Sequence, residues 1–246
     1  MRKLVAAFAC RVGGNRLYGK PLQNLDFEQN ITVLDQMLDL TETITSISSI
    51  VLGIAEGHEN LSLVDFAKNR DVDYIIGNEK DVLLRLIMCG RKAQATDVFR
   101  VTTENPFFHY EMVDEAWLAH VEAGNDVTVI DGLPEGCFFE IFSMKALEES
   151  HELGNSKHRS EYCSLYIREN LSDFQVEVLP IPRKLERMDM RLTIDYPEDL
   201  VLCRRVYSHF KHLAPRIPVD HIIDFLDKNP EIQSLVEPYV DPVRLW

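Results

Sequence analysis

The chain has 246 residues, enough to bury one substantial core, and its 46% hydrophobic and 27% charged residues are those of an ordinary globular protein. A formal net charge of −14 argues against nucleic acid and anionic membrane as partners, because such a field repels both. If the protein binds a polyphosphate, its few cations must gather at one place, with a metal ion to assist them.

Arg2 and Lys3 precede an apolar run too short for a signal peptide, and no stretch reaches membrane-spanning length. The five cysteines are scattered and never in C-x-x-C spacing, so neither a disulfide framework nor a zinc site is indicated; a cytoplasmic protein with reduced thiols is expected. Along the chain, Leu4 to Cys10 reads as a buried strand, and Ile31 to Ile44 as a helix. Ser49 to Ile54 is a second strand, Leu61 to Asn69 a helix, and Asp73 to Ile76 a third strand. A helix over Val82 to Ala93, a strand over Asp97 to Val101, a helix over Tyr110 to Ala123 and a strand over Asp126 to Ile130 follow. Further on, Phe138 to Phe142, Phe174 to Ile181 and Arg191 to Ile194 read as extended. Ala146 to Glu152 and Glu161 to Glu169 read as helical. Pro197 to Phe210 is a helix with proline in its first turn, and Val219 to Tyr239 gives two short helices broken at Pro230.

This alternation predicts a single-domain, Rossmann-like α/β fold: a mostly parallel central sheet flanked by helices, with a C-terminal helical extension. Right-handed crossovers put the strands' C-terminal ends on one edge, where such folds bind ligands. The first loop at that edge runs from Arg11 to Pro21 and holds Gly13, Gly14 and Gly19 among Arg11, Arg16 and Lys20. Glycines let backbone N–H groups approach an anion, and arginine and lysine supply a fork and a point charge for phosphate oxygens. No Gly-Lys-Ser/Thr and no G-x-G-x-x-G occurs, so neither a Walker loop nor a dinucleotide fingerprint is present. A surface turn with solvated cations is the competing reading of the loop alone.

The loop resembles the A-R-x-G-S-x-R-L-P-G-K signature of cytidylyltransferases that activate sugar acids, nearest the spore coat polysaccharide branch and related to the acylneuraminate and 3-deoxy-manno-octulosonate enzymes. Arg11, Gly13, Arg16, Leu17, Gly19 and Lys20 match in order, with Gly14 for the usual serine and Tyr18 for the usual proline. Further matches follow in family order. Gly77 to Arg85 resembles G-x-x-x-D-V-L-x-R, and Arg100 to Pro106 resembles R-x-T-G-D-x-P with Glu104 for aspartate and Thr103 for glycine. Pro134 to Ser143 resembles P-x-G-x-x-x-E-x-F-S, and Ser160 to Ile167 resembles R-E-H-V-T-x-Y-I with Ser160 for arginine and Tyr162 for histidine. Arg191 to Asp199 resembles R-L-T-V-D-x-P-E-D.

The resemblance implies a nucleotidyltransferase domain over residues 1–212, with residues 213–246 as its helical extension. It implies that Arg11, Gly13, Gly14, Arg16, Lys20, Gly77, Asp81 and Arg100 hold CTP, and that Glu104 and Asp195 ligate Mg²⁺. Arg11, Lys20 and Asp195 are then the catalytic set, and Glu140, Glu161 and Tyr162 face the sugar-acid acceptor. Arg159 or His158 is expected to stand in for the family arginine missing at Ser160. The implied product is a CMP-sugar for cell-surface polysaccharide, made with release of pyrophosphate by a homodimer; the C-terminal segment to Trp246 is a candidate dimer element that the sequence itself does not show. From the residues alone, a helix-start role for Asp81 and a helix cap at Asp195 compete with these roles. For the whole chain three alternatives stand: a non-catalytic nucleotide-binding homologue, a transferase acting on a sugar phosphate or phosphonate, and a nucleotide-sugar glycosyltransferase. The only D-x-D triplet, Asp71 to Asp73, precedes the third strand and is read as turn residues at the wrong sheet edge.

Overall fold

A computed structural model describes residues 2–246. Strand β1 (Leu4–Cys10) is central, and its side chains alternate between two cores. Leu4, Ala6, Phe8 and Cys10 face one core, while Val5 and Ala7 face the other. Burial on both faces is why the strand reads as an unbroken apolar run. A hairpin of β2 (Asn24–Asp26) and β3 (Ile31–Thr32) follows. Helix α1 (Val33–Glu42) then starts on Thr32, whose hydroxyl accepts the Asp35 N–H while Asp35 accepts the Thr32 N–H. The helix expected from Ile31 therefore begins two residues later, because Thr32 is its cap.

Strand β4 (Ile47–Ala55), helix α2 (Leu61–Asn69), strand β5 (Asp73–Gly77), helix α3 (Val82–Lys92) and strand β6 (Asp97–Arg100) continue the βα alternation. After α4 (Val113–Ala123) come β7 (Val127–Ile130) and β8 (Glu140–Ser143), then α5 (Met144–Leu153), α6 (Leu165–Glu169) and β9 (Val176–Leu179). Helices α7 (Pro197–Phe210), α8 (Val219–Lys228) and α9 (Pro230–Gln233) complete the chain.

The main sheet has seven strands in the order β5-β4-β1-β6-β8-β7-β9. All pairs are parallel except the two that β8 makes, with β6 and β7. Six strands therefore run one way, and their C-terminal ends share one edge. Antiparallel β8 starts at that same edge, which brings Glu140 opposite Arg100. Helices α3, α5 and α6 cover one face of the sheet, and α1, α2, α4, α7, α8 and α9 pack into the core on the other. Val219, Ile222, Ile223 and Leu226 of α8 are buried in that core, so the extension belongs to the same globule. Arg191 to Ile194, expected as a strand, makes only an isolated bridge between Arg191 and Glu135. Its other backbone groups go to loops, such as the Ile194 N–H to the Glu104 carbonyl at 2.9 Å.

Candidate active site

The loop after β1 crosses the ligand edge and is closed by the Gly19 N–H donating to the Val12 carbonyl at 2.8 Å. Buried Asn60 anchors it: its Oδ1 accepts the Val12 N–H at 2.8 Å, and its Nδ2 donates to the Glu56 carbonyl. A Cβ on Gly14 would strike the Leu17 carbonyl oxygen, which accounts for glycine where the family signature has serine. Gly13 faces open space. The Arg11 and Arg16 side chains are about half exposed, whereas that of Lys20 is 19% exposed. Burial pushes the Cys10 thiol beside this loop up to about 12, so it stays protonated and is not a nucleophile at neutral pH.

Lys20 meets Asp195 across the chain, with Nζ 2.5 Å from Oδ1, and Arg16 approaches the same oxygen at 3.6 Å. The other Asp195 oxygen accepts from Arg191 at 2.8 Å. Burial would raise the Asp195 pKa, but Lys20, then Arg191 and Arg16, hold the carboxylate below its ordinary range. Asp195 does not cap α7. Asp199 holds that start: one of its oxygens accepts both the Asp195 and Tyr196 N–H groups, and the carboxylate forks onto buried Arg191. Asp195 is thereby left to face the loop cations.

Glu104 shares this field. Its carboxyl is pushed up by burial, pulled down by Lys20 and pushed up again by Asp195. Among the described residues no group of three or more His, Cys, Asp or Glu gathers as a closed metal cage. Mg²⁺ at a nucleotide needs no such cage, since one or two carboxylates and the phosphates complete its oxygen shell. Two mutually repelling carboxylates beside a glycine-rich loop that carries three cations fit that requirement.

On the other side of β6, Arg100 is ion-paired with buried Glu140, and its second nitrogen donates to the Glu161 carbonyl at 3.1 Å. The free Glu140 oxygen accepts the Trp246 indole N–H at 3.1 Å. Glu161 approaches Arg11 at 4.0 Å, and Tyr162 is exposed. Neither neighbour of Ser160 replaces the missing arginine. Arg159 donates to the His151 and Gly154 carbonyls, and His158 is bound to Glu169 and the Asn155 N–H.

Gly77 and Asp81 act around a residue to which the sequence reading gave no role. Asp81 caps α3 through the Leu84 N–H, and its second oxygen meets His151 at 2.9 Å. Arg85 is 2% exposed and donates to the carbonyls of Cys10, Gly53 and Glu79. It therefore ties together the ends of β1 and β4 and the loop after β5. A Cβ on Gly77 would lie 2.9 Å from Arg85 Cγ, so the glycine makes room for that stem. The signal for Arg85 was an arginine on the apolar face of α3, which needs buried acceptors to pair with. Asp71 sits in a left-handed turn and Asp73 opens β5, so the D-x-D triplet lies at the edge opposite these loops.

No family model matches the chain. An uncharacterized protein of Methanocaldococcus jannaschii is 28% identical over 233 residues, 95% of this chain and 94% of that one. The spore coat polysaccharide biosynthesis protein SpsF of Bacillus subtilis is 24% identical over 233 residues, 94% of this chain and 97% of that one. Among solved structures, a cytidylyltransferase from Leptospira borgpetersenii superposes with a TM-score of 0.85 at 21% identity, covering 95% of this chain and 97% of that one. By sequence over nearly its whole length and by architecture, the chain is a relative of SpsF and has the fold of a cytidylyltransferase, the resemblance its motifs carry.

Proposed function

We propose that the protein transfers CMP from CTP to a sugar acid of the nonulosonic or 3-deoxy-octulosonic type, releasing pyrophosphate, for cell-surface polysaccharide. The observation that carries the reading is the meeting of Lys20 and Arg16 with Asp195, which joins a phosphate-binding loop to a candidate metal carboxylate at the ligand edge. The names of the relatives, a spore coat polysaccharide protein and a cytidylyltransferase, favour this chemistry over transfer from a nucleotide sugar.

Nucleotidyl transfer requires charge neutralisation and alignment more than covalent help. Arg11, Arg16 and Lys20 bind the β- and γ-phosphates and stabilise the charge that builds on departing pyrophosphate. Gly13 keeps the loop backbone open to phosphate oxygens, and Gly14 allows the close turn against the Leu17 carbonyl. Arg85 fixes the three loop stems, so the cations need little reorganisation. Glu104 and Asp195 would hold Mg²⁺, which supplies charge neutralisation at the phosphates and orientation of the acceptor oxygen. Glu140, set by Arg100, accepts acceptor hydroxyls. A homodimer completes the reading, and light scattering on the purified protein tests it.

The deciding assay is pyrophosphate release with Mg²⁺, each nucleoside triphosphate and a panel of sugar acids. Release is expected with CTP and at least one acid. Asp195→Asn should abolish turnover while CTP still binds; full activity of that variant removes Asp195 from the metal site.

A further inference from the structure

The segment after α9 does not trail into solvent. Tyr239 stacks on Tyr196 with ring centroids 3.9 Å apart and planes 10° from parallel, and the Arg16 guanidinium lies over the Tyr196 ring at 4.9 Å. The chain then runs exposed through Pro242 and reaches the acceptor side. There Arg168 donates to the Leu245 carbonyl at 3.1 Å, and the Trp246 N–H donates to Asp131 Oδ2 at 3.1 Å. The Trp246 indole N–H reaches the one Glu140 oxygen that Arg100 leaves open, and the Arg244 guanidinium covers Gly132 at the end of β7.

Resting on the cytidylyl-transfer reading, we propose that Arg244 and Trp246 are the acceptor-recognition element of the site: Arg244 for the acceptor's carboxylate, Trp246 for its ring and for the setting of Glu140. The other cations nearby are committed. Arg100 is paired with Glu140, and Arg11 with Glu79. Arg168 is turned to a carbonyl, whereas Arg244 has no carboxylate partner among the described residues. A guanidinium matches a carboxylate in a two-pronged geometry, and an indole gives a sugar ring an apolar wall. Glu140 has lone pairs to spare for a sugar hydroxyl while it holds the indole N–H. Trp246 thus acts as a positioning residue for Glu140 and Arg244 as a specificity determinant, neither belonging to the triphosphate clamp.

The test uses the full chain. Trp117→Phe leaves Trp246 as the sole tryptophan, because the sequence has two. N-acetylneuraminate and 3-deoxy-manno-octulosonate are titrated into this protein with CTP and Mg²⁺, and Trp246 emission is followed. In parallel, Trp246→Phe and Arg244→Gln are assayed for pyrophosphate release and for CTP binding. A saturable emission change is expected, together with an acceptor KM raised about ten-fold or more in both variants, as for loss of a bond to a charged group. The CTP Kd and kcat should stay near native values. An acceptor KM unchanged in both variants, or emission unmoved by either acid, overturns the proposal. If the native chain releases no pyrophosphate while a sugar acid still moves Trp246 emission, the transfer reading falls and the acceptor element stands.

Discussion

Replacing Arg100 with methionine strands a carboxylate. The Glu140 side chain is 1% exposed, and among the described residues Arg100 is its only cationic partner and the Trp246 indole N–H its one other side-chain donor. Breaking a buried pair from one side costs about 3–5 kcal/mol, a large share of the ~5–15 kcal/mol that holds a domain folded. The reverse change, Glu140→Gln, is milder. The amide oxygen still accepts the indole N–H, and Arg100 keeps the Glu161 carbonyl and 11% exposure, so the cost falls to about 1–3 kcal/mol. In the double variant no charge is left uncompensated, and the two effects should fall short of additivity by about 2–3 kcal/mol. Urea unfolding followed by circular dichroism measures this, since with a slope of ~3 kcal/mol/M the Arg100→Met midpoint moves by about 1–1.7 M. A loss below about 1 kcal/mol for Arg100→Met, or effects of the two substitutions that add to within about 0.5 kcal/mol, would refute the buried-pair argument.

Other perturbations separate the clamp from the scaffold. Lys20→Ala removes the least exposed loop cation and should weaken CTP binding by about ten-fold or more in a calorimetric titration, with folding preserved. Arg85→Met removes three carbonyl contacts under the loops. It should lower melting temperature and CTP affinity together, whereas an affinity loss with no stability loss would contradict a scaffold role. Asp97 is fully buried; burial would raise its pKa, but bonds from His120, Arg2 and Thr96 hold it below the ordinary value of 3.8. A depressed folded pKa means its stabilisation is present above the unfolded pKa and is lost as pH falls through the folded one. The stability gap between native protein and Asp97→Asn should therefore be full at pH 7 and shrink below about pH 4; a gap independent of pH would show that Asp97 does not act as an ionised partner.

Elements with a regular apolar pattern and clear end signals were legible because local hydrophobicity decides them. Strand β1 and helices α2 and α7 begin and end where apolar pattern and Pro197 put them. The β2–β3 hairpin was not legible: its strands have three and two residues, too few for a period to register. Nor was the reversed direction of β8, which is fixed by its neighbours and not by its own four residues. In the site, the loop after β1 announced itself through glycine and cation spacing. Its contact with Asp195 spans 175 residues and came only from the family motif. Asn60 and Trp246 carried no local signature, since an asparagine that anchors a loop and an indole that meets a distant carboxylate are visible only once the chain has closed.

The charge pattern of the edge has a consequence for how ligands enter. In an acidic chain, each cation available to a triphosphate already faces a carboxylate: Lys20 and Arg16 face Asp195, and Arg11 faces Glu79. A phosphate group that arrives alone must compete with these carboxylates for the same donors and also meets their repulsion. If Lys20 turns to a phosphate, Asp195 keeps Arg191 on its other oxygen but loses the close cation on Oδ1, a place that a divalent cation can take. Glu104, already pushed up by burial and then by its neighbour Asp195, gains from the same exchange. On the proposed reading, triphosphate and divalent cation are coupled through Asp195, each lowering the cost of the other's binding, and by linkage the coupling is reciprocal. CTP affinity should rise as Mg²⁺ is added, beyond what the metal does for free CTP, and this increment should largely vanish in Asp195→Asn, where the amide no longer holds Lys20 as an ion pair. An increment of equal size in native and variant protein would place the coupling elsewhere than on the carboxylate that joins the loop to α7.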